Sequence, residues 1–558
     1  MTRGGVRRTA ATQSRATADT GDWDTIFAVR FADVNAAITN DGAWPSTLDW
    51  ASHDDDAIIL RGQIDPWRLS HGDNADLTFL IALRDVSVVA DGLEETTFPA
   101  LEAAVQVRLA AVARAQAGAH GLGRDLRLSD LPVYEGEPLN VIGLSGVGDD
   151  DQVAATVVSI ALQRWLTANL LAFTHVFASI DPGRALGTTL EWLVPNDVTY
   201  AATSPLGAPP GEGIFAVLSM TGGRVSGNAP QQVPVGAIPD GSTSAFLIHP
   251  SIVATRIILP GMQALFPGAT SADFELARDR RTLVNVESLP LGLWELKDKS
   301  VVRPWAAARS ISVTVGPSTI AVEMSHLSFT WGDGTTVKLQ ITGEATLTKA
   351  ANGGFALRPI GRATSHTSLT VSDAVRTKSM ILSGTVALAG LLAGSMINSA
   401  LAAEVVEVDE AAGVIASSWE ALGEVSETAI GGSGELSGPE LAAEEVAAAL
   451  AGDATTATSS EGYLARIWPK LRSLLVIMAT ATPSMAVGLI PEFIALGDTN
   501  RLPDDRTVQH LLDNVSSCIL WPDATSWRVE TVGLDGSLQI GLVRGPAHDP
   551  GGPGSATS

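Results

Sequence analysis

The apolar positions of this chain change period several times, and each change predicts an element. From Ala57 to Ile64 and from Leu77 to Ala90 they run together or partly alternate, as in strands buried within a sheet. Cleaner alternation appears between Ile311 and Pro359. There Ile311, Val313 and Val315, and later Val337, Leu339 and Ile341, take every second position. Gly332-Asp333-Gly334 and Asn352-Gly353-Gly354 break these runs with the chemistry of antiparallel hairpins, so the stretch predicts a meander.

Helical spacing appears twice. Asp149-Asp150-Asp151 places negative charge where a helix N-terminus favours it. Val153, Val157, Ile160, Leu166, Leu170 and Phe173 then recur at helical intervals to about Phe177. A second helix is predicted after Asp240-Gly241-Ser242, carrying Phe246, Ile252, Ile257, Leu259 and Leu265, with kinks at Pro250 and Pro260. Both are apolar round much of their circumference, which predicts deep burial. His175 and His249, on these helices, read as satisfied core or end residues rather than ligands.

Between Lys378 and Arg466 there is no Lys or Arg. An uncharged run from Ser379 to Ala403 precedes an acidic helical stretch with Glu404, Glu407, Asp409, Glu410, Glu420, Glu424 and Glu427. A second apolar run, Leu474 to Ile490, is interrupted by Pro483. The resulting division is a disordered tail at 1–21, a body at 22–375, an acidic and apolar helical insertion at 376–472, a return to the body with a terminal hairpin at 473–543, and a second tail at 544–558. Ser379 to Ala403 is long enough to span a bilayer, for which about 20 residues suffice. Its Ser383, Thr385, Ser395, Asn398 and Ser399 favour a buried or self-packed helix, with conditional membrane insertion as a third reading.

Composition narrows the function classes. With 558 residues, 45% of them apolar and 17% charged, the chain can bury a large core. A net charge of −25 argues against nucleic acid, which needs clustered Lys and Arg. Local basic patches still act within a Debye length of about 8 Å. The densest is Arg278, Arg280 and Arg281, read either as a contact for a lipid phosphate or as a solvated loop with local ion pairs through Glu275 and Asp279. The single cysteine, Cys518, excludes an intramolecular disulfide. The polar, basic start lacks the apolar core of a secretory signal, so the expectation is bacterial cytoplasm or release by a signal-independent route. No zinc-protease motif or phosphate-binding loop occurs, and Gly143-Leu144-Ser145-Gly146 lacks the spacing of a nucleophile elbow. The triplets Asp54–Asp56 and Asp149–Asp151 are not spaced like a calcium loop. No catalytic residue, metal or cofactor is therefore expected.

Two motifs bracket the chain. Trp23-Asp24-Thr25-Ile26-Phe27-Ala28-Val29 runs into Ala32-Asp33-Val34-Asn35-Ala36-Ala37-Ile38 near the start. Ile519-Leu520-Trp521-Pro522, Trp527-Arg528-Val529-Glu530 and a hairpin from Leu534 to Gly541 stand near the end. Between them lie Trp192-Leu193-Val194-Pro195 with Tyr200-Ala201, and Phe246-Leu247-Ile248 leading to Ile258-Leu259-Pro260-Gly261. These stretches resemble the forty-seven-kilodalton protein family encoded beside clostridial neurotoxin genes, relatives of the OrfX proteins, within the tubular lipid-binding (TULIP) superfamily. The resemblance implies an α+β, TULIP-like fold in which strongly curved antiparallel β-sheets wrap long helices, here with a helical insertion. It also implies a non-enzymatic protein that binds lipid or another hydrophobic ligand, with transient membrane contact. The alternative is a structural partner in a toxin or delivery complex. Under the first reading Leu166, Leu170, Phe173, Ile252 and Leu259 line an apolar groove; under a blander one they fill a closed core.

Overall fold

The computed structural model describes residues 18–370 and 508–545, apart from 53–57, 115–122, 131–136, 185–190, parts of 260–267 and 291–304, 332–334, 350–354, 361–363 and 523–525. β1 (Thr25–Arg30) leads into α1 (Phe31–Asp41). Eight strands follow: β2 (Thr47–Ala51), β3 (Ile59–Ile64), β4 (Arg68–Asn74), β5 (Asp76–Ala90), β6 (Leu93–Val107), β7 (Leu109–Ala113), β8 (Arg124–Leu128) and β9 (Leu139–Ser145). α2 (Gln152–Asn169) and β10 (Ala178–Ile180) precede β11 (Pro195–Thr203), β12 (Ile214–Thr221) and β13 (Ser244–Ile248). α3 is one α-helical turn, Pro250–Ile252, continued as π-helix over Val253–Ile258. β14 (Phe274–Leu276) and β15 (Thr282–Asn285) come next, then four two-residue strands, β16 (Leu289–Pro290), β17 (Trp294–Glu295), β18 (Val301–Val302) and β19 (Trp305–Ala306). The meander is β20 (Ile311–Val315), β21 (Ile320–Trp331), β22 (Thr335–Lys349), β23 (Phe355–Pro359) and β24 (Thr364–Thr370). α4 (Val508–Cys518), β25 (Ile519–Leu520), β26 (Trp527–Asp535) and β27 (Ser537–Arg544) complete the described chain.

β1 is the strand about which the first and last parts of the described chain come together. It pairs antiparallel with β12 on one side and β13 on the other, and β13 pairs in turn with β27. These strands belong to a twelve-stranded sheet ordered β2-β3-β5-β4-β11-β12-β1-β13-β27-β26, with β6 beside β5 and β9 beside β6. Every residue of β12 and β13 is buried, because both faces of the sheet are covered here. Phe27, Val29, Phe215, Val217 and Phe246 enter the main core, while Ile26, Ala28, Ala216, Leu218 and Leu247 face a smaller one closed by Val233, Ala237 and Ile238. Strands buried on both faces need apolar side chains at consecutive positions, which explains the unbroken runs in the sequence. The ring of Phe27 meets Phe246, Trp521 and Trp527 at centroid distances of 5.8, 5.6 and 5.7 Å.

The expected architecture of long helices wrapped by sheets is overturned. The described residues form large antiparallel sheets, and the longest helix, α2, has 18 residues. The second predicted helix fails for a local reason. Pro250 has no N–H to donate and pushes the preceding residue toward extended geometry, so it starts a helix better than it continues one. Phe246-Leu247-Ile248 is accordingly strand β13, and the helix begins at Pro250 with the His249 side chain as its N-cap. α2 forms where predicted but ends at Asn169, followed by a 3-10 turn at Leu170–Ala172. Its buried face carries Ala154, Val158, Leu162, Trp165 and Leu166, whereas Val153 is 68% exposed. The triplet before it forms a 3-10 turn, Asp149–Asp151, and makes no side-chain capping bond.

The strands predicted at 57–64 and 77–90 appear as β3 and β5, and the meander pairs in the expected order through β20, β21, β22 and β23. Its two predicted turns lie outside the described residues, as do the insertion at 376–472 and the apolar runs at 379–403 and 474–490. Side-chain amides dock helices on strands at three places. Asn35 of α1 exchanges two hydrogen bonds with the backbone of Leu69 in β4, at 2.7 and 3.0 Å. Gln163 of α2 accepts from Val141 N and donates to Leu139 O on the outer edge of β9, at 2.7 and 2.6 Å. Gln509 of α4 does the same at β26, accepting from Val529 N at 3.0 Å and donating to Trp527 O at 2.6 Å.

Because Phe27 joins motifs from both ends of the chain, truncating it opens a cavity bounded by rigid indole rings. Phe27→Ala is expected to lower the unfolding free energy by about 3–5 kcal/mol, read from urea denaturation followed by tryptophan fluorescence.

Candidate functional site

The predicted basic cluster sits on the turn between β14 and β15, and the turn decides where each arginine goes. The Asp279 carboxylate accepts from the backbone N–H groups of Arg281 and Thr282, both at 3.0 Å, and from the Thr282 hydroxyl at 2.6 Å. Arg280 takes a left-handed conformation with φ of 57°. Arg280 and Arg281 are thereby aimed at the segment before β1. Arg280 pairs with Asp22 at 3.2 Å and approaches Asp24 at 4.0 Å. Arg281 pairs with Asp19 at 3.0 Å and donates to the Gly536 carbonyl at the tip of the β26–β27 hairpin at 2.9 Å. Arg278 is exposed and forms no ion pair among the described residues. Of the three, only Arg278 keeps its charge open to solvent.

Asp24 is the buried centre of this junction, 1% exposed. Its carboxylate accepts from Thr221 N at 2.9 Å and the Thr221 hydroxyl at 3.3 Å, and pairs with Arg224. Two guanidiniums around a hydrogen-bonded carboxylate offset the cost of burying it. His249 lies beside the same arginines. Burial, then the positive fields of Arg280, Arg281 and Arg224, push its pKa from 6.5 down to about 3, and a backbone hydrogen bond with Gly21 opposes this only in part. The neutral ring is what the helix needs, because its Nδ1 accepts from Ser251 N at 3.0 Å. The junction binds the N-terminal segment, the large sheet and the β14–β15 turn together, and the His249 Nδ1 also lies 2.7 Å from the Ser251 hydroxyl.

The five groove candidates fall in the main core. Leu166, Leu170, Phe173 and Ile252 are buried, and Leu259 is half-buried against the same core. Leu166 is on α2, which packs against β2, β3, β5 and β9, Leu170 and Phe173 follow in and after the 3-10 turn, and Ile252 is on α3, which packs against β15 and β20. Phe173 stacks edge-on against Trp67 at 5.1 Å.

A small cavity of about 10 Å³, the space of one water, lies instead where the two bracketing motifs meet. Val29, Asp33, Val34, Trp521 and Trp527 line it together with His175 and Arg544. Burial raises the Asp33 carboxyl above its ordinary value against the pull of Arg544, 3.3 Å away, and of Arg30. His175 Nδ1 is held by Asp41 at 2.8 Å. A more open surface cleft of about 360 Å³ is lined by Asp19, Asn74, Thr203, Gln232, Val233 and Val235 among others. Among the described residues no group of His, Cys, Asp and Glu is arranged to hold a metal ion, and no helix is long and apolar enough to cross a membrane. The Asp54–Asp56 triplet lies outside them.

The profile of the OrfX-like family, described as Protein OrfX2/OrfX3/P47, matches residues 20–429. The chain belongs to this OrfX/P47 family. OrfX3 of Paraclostridium bifermentans is 26% identical over 282 residues, and OrfX3 of Clostridium botulinum (strain Kyoto / Type A2) is 25% identical over 283. Each match covers 46% of this chain and 56% of the relative, so the chain spans little more than half the length of these relatives. Among solved structures, P47 from Clostridium botulinum A2 matches with a TM-score of 0.52 at 12% identity, over 67% of this chain and 87% of that one. At that identity the likeness is one of fold. The family match includes the motif around Phe27, whose ring meets Trp521 and Trp527 from the later motif where the large sheet of this chain closes.

The neutral His249 gives the junction an acid limit. Its contribution is fully present above pH 6.5 and is lost as pH falls from 6.5 toward 3, because the unfolded chain takes up a proton that the folded one refuses. The expected slope is about 1.4 kcal/mol per pH unit. His249→Asn, which keeps a side chain suited to the N-cap, should flatten that slope in urea unfolding across this window.

Proposed function

We propose that this OrfX/P47 protein is a non-enzymatic accessory protein that works through its outer surfaces, as a structural partner in a toxin-type assembly. The observation that supports the reading most is the filling of the interior: the apolar helix residues best suited to line a groove pack into the core. A buried acyl chain contributes roughly 0.8 kcal/mol per methylene only where apolar space is free to receive it. The ion-paired junction also favours a rigid scaffold, since Arg280 and Arg281 are held by carboxylates of the same chain. The association of the family with toxin gene clusters supplies the kind of assembly.

A second reading, hydrophobic-ligand binding, has a place to act in the surface cleft of about 360 Å³ beside Val233 and Val235. That volume falls within the ordinary range of small-molecule sites. The two readings separate in one preparation. Protein purified without detergent is extracted with organic solvent and analysed by mass spectrometry, and in parallel is co-expressed with the products of its neighbouring genes. The accessory reading expects no lipid above background and a complex that survives size-exclusion chromatography. A near-stoichiometric lipid, lost on Val233→Asp in a folded variant, would transfer the function to the cleft.

A further inference from the structure

Where the large sheet closes, two buried donors have no hydrogen-bond partner among the described residues: Trp521 Nε1 and Arg544 Nε. Trp521 itself is only 6% exposed. Both residues line the cavity of about 10 Å³ at which the bracketing motifs meet, and Asp33 lines it with them. Nearly all buried N–H groups in folded proteins find an acceptor, because one left unmade keeps the whole cost of its lost hydration.

Three distant segments build this place. Asp33 stands in the first turn of α1, Trp521 directly follows β25, and Arg544 ends β27. The Trp521 indole is wedged edge-on between Phe27 at 5.6 Å and Phe215 at 5.9 Å, so it cannot turn its N–H to solvent without opening the core. Arg544 is held by its strand partner Trp527 and by the ion pair of its Nη2 with Asp33 at 3.3 Å. That is the only ion pair of Asp33 among the described residues, and a carboxylate can accept about four hydrogen bonds. The other charged or titratable neighbours are Arg30, which acts on Asp33 from a greater distance, and His175, whose Nδ1 is held by Asp41 at 2.8 Å.

Size and chemistry select the occupant. The volume suits one water and is too small for an organic ligand. Indole and guanidinium N–H groups only donate, whereas an ionised carboxylate only accepts. A halide would satisfy the donors but face Asp33; a metal cation would satisfy Asp33 but face two N–H groups. Water does both. We propose that the cavity is a binding site for one structural water, which accepts from Trp521 Nε1 and Arg544 Nε and donates to the Asp33 carboxylate. A single molecule then joins α1, the segment after β25 and the end of β27, whichever partner the outer surfaces serve.

Crystals of the full chain grown with bromide as the sole halide separate the occupants. One peak without anomalous signal is expected within about 3 Å of both nitrogens and of an Asp33 oxygen. A bromide signal there makes an anion the occupant and overturns the proposal, as does a site without density. In solution, oxygen-17 relaxation dispersion reads the waters that stay in the protein far longer than bulk exchange allows. Trp521→Phe removes one donor and should lose one long-lived water relative to the unaltered chain. Asp33→Leu, which removes the acceptor and fills the space from the edge of the core, should lose the same water and serves if Trp521→Phe does not fold. An unchanged signal in either folded variant overturns the proposal.

Discussion

The structure depends on β1 being buried on both edges and both faces. A strand of six residues, Thr25–Arg30, holds β12 on one side and β13 on the other, and through β13 it holds the last strand of the described chain. Its side chains alternate between two separate cores, so no polar residue fits between Ile26 and Val29 without facing one of them. The aromatic contacts of Phe27 with Trp521 and Trp527 then fix the approach of the terminal hairpin. Everything beyond this point, including the docking of α1 by Asn35, builds outward from a centre that tolerates little change.

Electrostatics does a different job from packing here. The protein carries a large negative charge, yet the buried carboxylates among the described residues are each matched to arginine within the chain. Asp24 has Arg224 and Arg280, and Asp125 has Arg114 and Arg127. Burial would raise Asp125 on its own, but hydrogen bonds from Arg114, Ser179 and Arg127 outweigh it and hold the carboxyl below its ordinary value. Arginine suits this role because its planar fork satisfies several acceptors at once and never discharges. The scarcity of lysine in the sequence takes on meaning beside these sites.

Much of the sheet was legible from residue patterns. The alternation of Ile311, Val313 and Val315 and the apolar run from Leu77 report strands directly, because burial on one or both faces dictates them. The run Phe246–Ile258 was not, since a short apolar stretch has the same composition in a buried strand as in a buried helix, and only Pro250 divides them. The arginine cluster was visible, but its partners were not. Asp19, Asp22 and Asp24 lie more than two hundred residues away, and no periodicity connects a surface turn to a distant strand. Nearby Glu275 and Asp279, which looked like the natural counter-ions, instead pair with Arg309 and cap the turn backbone. Of the two motifs that bracket the chain, the first lies within the family match, and the structure brings both together around Phe27.

That closure also sets an order on synthesis. When β13 leaves the ribosome, its free edge must wait for β27, almost three hundred residues later in the chain. Until then a fully apolar strand stands with one row of backbone groups unpaired, beside a half-built core. The large sheet therefore cannot be completed during translation of the body; it closes only after β27 has emerged, and that late strand is the one that covers the edge of β13.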